Sequence, residues 1–246
     1  MDWIYLSPHL DDVALSCGGL VKEQTQSGLD VGIWTICAGD PPPGPLSPFA
    51  ESLHDRWQSG AEAMVLRRSE DSTACSILGA SNRHFPIPDC IYRRVGPDNS
   101  PGYSSEESLF GPLHHGESAL ISKLSHELSS TLPQHANVVC PLTLGGHVDH
   151  VLTRKAAEKT GRYLWYYEDY PYVEKDPDYF LNLRQAGWES QVFEVSKLGL
   201  TAWEAAVAAH ASQISTFWAD LDSMKKAIRK KYKLDNGIRL WRPGKH

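Results

Sequence analysis

The chain has 246 residues, 41% hydrophobic and 22% charged, with a formal net charge of −6. That is enough apolar material for a substantial core in one domain over residues 1–246, and an acidic balance without a long Lys/Arg run argues against a nucleic-acid partner. No apolar run reaches bilayer length, the first residues lack a signal-like start, and the five cysteines are scattered without a CxxC pair, so the chain reads as a cytoplasmic protein with reduced thiols.

Trp3 to Leu6 reads as a buried strand and Val13 to Gln26 as a helix entered through two aspartates and closed near Gly28. Val31 to Cys37 is a second β-branched run, and strand–helix–strand in this order predicts a right-handed βαβ unit with a parallel sheet. Gly39 to Pro48 is a proline-rich stiff loop. Helices are predicted over Phe49–Gln58 and Ser69–Leu78, and a third strand over Arg83–Ile87. Residues 90–116 are rich in Pro, Gly, Ser and Asn and read as a long loop or lid of functional length. A helix over Ser118–Leu132, a strand over Asn137–Leu142, a helix over Val151–Arg162 and a strand over Tyr163–Tyr167 follow. Gln191–Val195 is a weaker strand, and Thr201–Tyr232 a helix with room for one break; its basic residues 225–231 suit a solvated face near a helix end. The alternation predicts an open α/β layered fold built on a parallel sheet, whose ligands sit beyond the carboxyl ends of the strands.

Two polar clusters fall at such ends. "SPHLDDVALSCGG" (residues 7–19) follows the first strand, and "LGGHVDH" (residues 144–150) follows the strand ending near Cys140. Adjacent carboxylates next to a core are costly unless a cation, a proton or donors offset them. A catalytic zinc takes three N/O ligands and keeps one open position. His9, Asp12 and His150 would supply that set, Asp11 would remain as general base, His147 as donor to an oxyanion or a leaving amine, and Asp149 as the partner that fixes a histidine tautomer. The plain alternative is that Asp11 and Asp12 cap the first helix and the histidines are loop residues.

The two motifs resemble the H-P-D-D-E…G-G and H-x-D-H patterns of the PIG-L (LmbE-like) deacetylase family, with support from "RRSED" and "ACSILGA" (residues 67–80) and "AHASQ" (residues 209–213). The resemblance implies a Rossmann-like fold, an α/β architecture with an open, mostly parallel sheet and helices on both faces, and a zinc-dependent hydrolase, with one zinc per chain, that removes an N-acetyl group from an N-acetylglucosamine-type substrate. It implies zinc ligands at His9, Asp12 and His150, the base at Asp11, the oxyanion or amine partner at His147, and a sugar-binding arginine at Arg67, paired with Glu70 in an R-x-x-E pattern; Arg68 serves if the alignment slips by one. Leu10 and Val13 depart from the pattern's Pro and Glu and point to a different pocket wall. Other divalent ions suit the same donors.

Asp89, after a strand, fits either a sugar hydroxyl contact or a turn. The acids and tyrosines of Glu168–Tyr172 fit either a cleft wall or a plain loop. His210, on one predicted helix with Trp203 and Gln213, fits a structural histidine better than a catalytic one, and His114-His115 has no carboxylate at metal spacing. Two rival functions stand beside deacetylation: a zinc amidase for another acyl group or a non-sugar amine, and a metal-containing sugar-binding module without turnover. The expected partner is a small molecule or glycan bearing an N-acetylated amino sugar, and nothing in the sequence opposes a homo-oligomer.

Overall fold

The computed structural model describes residues 1–57, 62–95, 98–175 and 178–244. The strands are β1 (Trp3–Ser7), β2 (Val31–Thr35), β3 (Ser81–His84), β4 (Asn137–Pro141), β5 (Leu164–Tyr167), β6 (Trp188–Glu194) and β7 (Gly237–Pro243). The helices are α1 (Asp12–Gln26), α2 (Pro48–Trp57), α3 (Ala63–Leu78), α4 (Glu106–Leu109), α5 (Ser118–Thr131), α6 (Val148–Glu158), α7 (Tyr179–Gln185), α8 (Lys197–Ala209), α9 (Ile214–Phe217) and α10 (Leu221–Asp235).

All seven strands form one sheet in the order β3-β2-β1-β4-β5-β7-β6. The first five are parallel, in register through pairs such as Tyr5 with Ile33 and with Val139. Strand β7 runs antiparallel to both β5 and β6. Alternate residues of the parallel strands feed two cores, as expected where both faces are covered. Ile4, Leu6, Val138 and Cys140 pack with α5 and α6 on one face. Tyr5, Ile33, Val139 and Tyr167 pack with α1, α3, α8 and α10 on the other. A third apolar cluster, including Leu10, Leu53, Trp57, Ile91, Tyr103 and Val148, joins α2 to the 90–116 segment. Strand order reverses between β1 and β4, so a crevice opens beyond their carboxyl ends.

The paired glycines that close the first motif serve packing. Trp203 of α8 lies flat on α1 and donates from Nε1 to Leu15 O at 3.1 Å. A Cβ on Gly18 would sit 2.7 Å from Trp203 Cδ1, and the indole is wholly buried. Gly18→Ala is therefore expected to cost about 1–3 kcal/mol by overpacking, read as a lowered melting midpoint.

Several boundaries differ from the sequence reading. The third strand sits over 81–84 rather than 83–87, because it pairs with β2 there and Pro86 and Pro88 have no N–H to donate. Helix α3 starts before Ser69, since Ala63 and Met64 are buried in the third cluster. The long C-terminal helix is broken twice, giving α8, α9 and α10. Helix α7 and strand β7 were not expected. Gln58, the expected end of the second helix, and positions 96–97 of the long loop lie outside the described residues. The five cysteines are free and buried, and among the described residues no helix is long and apolar enough to cross a membrane.

Candidate active site

Each motif residue enters from the carboxyl end of a parallel strand. His9, Asp11 and Asp12 follow β1, Asp89 follows β3, and His147, Asp149 and His150 follow β4. Asp11 occupies the N-cap position of α1, yet its side chain makes no capping bond. Ser7 Oγ takes the Val13 N–H instead, and Asp12 Oδ2 takes the His9 N–H at 2.8 Å. The capping alternative for the paired aspartates therefore does not account for Asp11. At β4 the chain turns through Gly145 and Gly146 at φ of 84° and 74°, a left-handed pair that favours glycine. That turn starts α6 at His147, whose Nδ1 accepts the Asp149 N–H. A neutral His147 therefore carries its proton on Nε2.

Two carboxylate–histidine pairs converge on Asp12. His9 Nε2 lies 3.1 Å from Asp149 Oδ2, and His9 Nδ1 lies 3.2 Å from Asp12 Oδ2. His150 Nδ1 lies 2.6 Å from Asp169 Oδ1, and His150 Nε2 lies 3.3 Å from the same Asp12 oxygen. Asp169 also accepts the Leu144 N–H, so it is anchored from two sides. With the outer nitrogens donating to Asp149 and Asp169, the inner ones present lone pairs toward a carboxylate. His150 Nε2 is buried and has no hydrogen-bond partner. Lone pairs facing each other at this range need a proton or a cation between them, and a carboxylate behind a histidine is the usual support of a metal-binding imidazole.

The electrostatics agree. Burial alone would lower the His150 pKa, but the Asp12 and Asp169 carboxylates outweigh it and raise it to about 9. Burial likewise opposes charge on His9, and its contacts with Asp12, Asp149 and Asp89 reverse that and raise it. Asp12, despite burial, is held well below the usual carboxylate range by His150 and His9. His147 is shifted the other way, down, by burial and by the nearby His9. Among the described residues, three side-chain sets bring ligand atoms within 4.8 Å of one another: His9 with His147 and His150, Cys90 with His147 and Asp149, and His9 with Asp89 and Asp149. The two sets containing Asp149 are disfavoured because that carboxylate already serves Cys90 N–H, His9 and Arg93.

Arg67 rather than Arg68 reaches the site. It is 4% exposed, 3.7 Å from Asp11 Oδ1 and 3.9 Å from Asp89 Oδ2, with its guanidinium over the Trp57 ring. Arg68 bonds Ala38 O and Asp40 away from it. Asp89 takes the turn role, Oδ1 accepting the Ile91 N–H, while its Oδ2 faces His9 and Arg67 at the site. Glu70, the other half of R-x-x-E, accepts from the N–H and the hydroxyl of Ser212, so two sequence pieces 142 positions apart form one structural tie. His114 Nδ1 accepts the Gly116 N–H and joins none of the metal-compatible sets among the described residues.

His9, Asp11, Asp12, Arg67, Asp89 and His147 open onto a cavity of about 450 Å³. The 90–116 segment contributes Ile91, Glu106, Leu109 and Phe110 to its wall, and the chain after β5 contributes Tyr172, Glu174 and Lys175. Phe110 packs edge-on to His147 and to Tyr172. The sequence reading missed the roles of Asp169 and Arg93. The strand-end rule points to Asp169, which lies just past β5; nothing local marks Arg93.

Comparison with known proteins places the chain among deacetylases. A 2'-N-acetylparomamine deacetylase of Niallia circulans is 29% identical over 203 residues, covering 76% of this chain and 71% of that protein. The A40926 pseudoaglycone deacetylase superposes with a TM-score of 0.73 at 26% identity, covering 98% of this chain and 96% of that one. The zinc-inhibited form of a teicoplanin deacetylase has a TM-score of 0.79 at 24% identity, with 98% and 97% covered, and shows the shared fold. Residues 4–160 match the PIG-L family, described as GlcNAc-PI de-N-acetylase, and this stretch contains both motifs together with Arg67 and Asp89. The chain belongs to the PIG-L family of deacetylases.

Proposed function

We propose that the protein removes an N-acetyl group from an amino sugar, with His9 Nδ1, Asp12 Oδ2 and His150 Nε2 holding one divalent ion, taken to be zinc. The observation that carries this reading is the convergence of two carboxylate-backed imidazoles on one Asp12 oxygen, beside an Asp11 that is not spent on capping α1. The donor set of two nitrogens and one oxygen fits zinc with a position left open. A zinc ion bound there supplies Lewis acidity, drawing electron density from a water and from an amide carbonyl.

The protein's own groups do the rest. Asp11 takes a proton from the water as its oxygen bonds to the acetyl carbon. His147 donates its Nε2–H to the carbonyl oxygen as charge builds there, a role suited to a ring kept neutral by burial. The C–N bond then breaks, Asp11 passes its proton to the departing nitrogen, and a free amine and acetic acid result, the acid losing its proton to solvent as acetate. Arg67 holds Asp11 and Asp89 in place at the cavity wall and presents donors to sugar hydroxyls. Substrates of the amino-sugar kind agree with the relatives named for acetylated paromamine and teicoplanin-type compounds.

Acetate release from a panel of N-acetylglucosaminyl glycosides is expected to vanish on chelation and to return on addition of zinc. The same panel with longer acyl groups separates deacetylation from a broader amidase, and sugar binding without acetate over hours would move the assignment to a binding module.

A further inference from the structure

Behind the motif residues lies a third layer. Arg93, in the irregular segment after β3, is 6% exposed, and Glu117, just before α5, is 1% exposed. Arg93 Nη1 lies 2.6 Å from Asp149 Oδ1 and donates to Pro88 O at 3.0 Å, and Arg93 Nε donates to Glu117 Oε1 at 2.8 Å. The other Asp149 oxygen faces His9 Nε2 and accepts the Cys90 N–H. The result is a buried file of four side chains, His9–Asp149–Arg93–Glu117. A buried ion pair is weak ground for stability, because apolar groups of the same volume often do as well or better. This one stands directly behind a histidine of the active site. The second histidine has a different backing: the described partners of Asp169 are His150 and the Leu144 N–H.

We propose that Arg93, braced by Glu117, is a positioning residue for the metal site. It holds the Asp149 carboxylate in place, so that Asp149 holds the His9 Nε2–H and turns the Nδ1 lone pair toward Asp12. The inference rests on reading His9, Asp12 and His150 as the divalent-ion site. Arginine suits the task because its rigid fork reaches two carboxylates at once, whereas lysine supplies one point charge.

The test measures zinc dissociation constants, by competition with a fluorescent chelator, for wild type, Arg93→Lys, Arg93→Met and the double variant Arg93→Met/Glu117→Gln. Arg93→Met strands Glu117 in the core and so mixes folding with metal support; the double variant removes that stranded charge. Both Met variants are expected to bind zinc about 10–100-fold more weakly than wild type, the usual cost of losing outer support of a metal ligand. Arg93→Lys should lose less, since it keeps a cation beside Asp149. If Arg93→Met does not fold, the double variant and Arg93→Lys carry the comparison. Wild-type zinc affinity in the double variant overturns the proposal. A wild-type protein that takes up no zinc overturns the metal reading itself, and the Arg93 assignment with it.

Discussion

Asp11→Asn is expected to bind one zinc per chain as wild type does and to turn over about 10²–10⁴-fold more slowly, the usual range for loss of a general base. The asparagine keeps the size of the side chain but cannot take a proton. Asp11 is 5% exposed and lines the cavity, and its side chain is not spent on capping α1. Its one described ionic partner, Arg67, is 3.7 Å away, close enough to orient a carboxylate without locking it in a short bond. The substitution also removes a charge next to Asp12, so the melting midpoint should hold or rise. Acetate release and metal content on the same preparation decide the matter. Wild-type turnover with zinc bound would take Asp11 out of the mechanism, and lost zinc would make it a ligand instead.

Zinc affinity is expected to rise at least tenfold per pH unit up to about pH 9. In the metal-free protein the His150 pKa is raised to about 9 because Asp12 and Asp169 outweigh burial. Below that pH a proton sits where the ion must go, and zinc has to displace it. One displaced proton makes the affinity change tenfold per unit, and the proton on His9, whose pKa is also raised, adds to this, so a move from pH 6 to pH 8 strengthens binding at least about a hundredfold. The stability of the metal-free protein runs the opposite way. A histidine whose folded pKa is raised contributes stability that is fully present below its unfolded value of roughly 6.5 and is lost as pH climbs through about 9. The rise in melting midpoint on adding zinc should therefore grow with pH while the metal-free midpoint falls. A zinc affinity that stays flat from pH 6 to pH 8 would rule out a proton shared by Asp12 and His150.

The parallel half of the sheet was legible because strands buried on both faces read as unbroken apolar runs, as in Val31–Thr35 and Asn137–Pro141. The site was legible where it is local. His9 and Asp12 lie within one turn, as do His147 and His150, and each group follows a strand. What was not legible depends on long-range contact. Arg93 finds Asp149 across 56 positions of sequence, in a loop whose composition says only that it is irregular. Asp169 was hidden among Glu168, Tyr170 and Tyr172, of which Glu168 turns away to Lys231 and Trp241. The choice between Arg67 and Arg68 needed the helix to be placed, since adjacent residues on a helix point about 100° apart. Strand β7 was missed because its pattern of Ile238, Leu240 and Trp241 is broken by Arg239 and Arg242 and follows a helix with little pause.

The position of β7 between β5 and β6 has a bearing on how the chain is made. Synthesis proceeds from the N-terminus, so β6 emerges before the strand that connects it to the rest of the sheet. Until residues 237–243 arrive, β5 is an open edge with Tyr166 and Tyr167 awaiting Trp241 and Leu240, and β6 has no sheet to join. Asp169, two residues beyond that edge, belongs to the same unfinished region. The chain thus carries both motifs long before β7 can close this side of the sheet, and until it does β5 presents an exposed, aggregation-prone border.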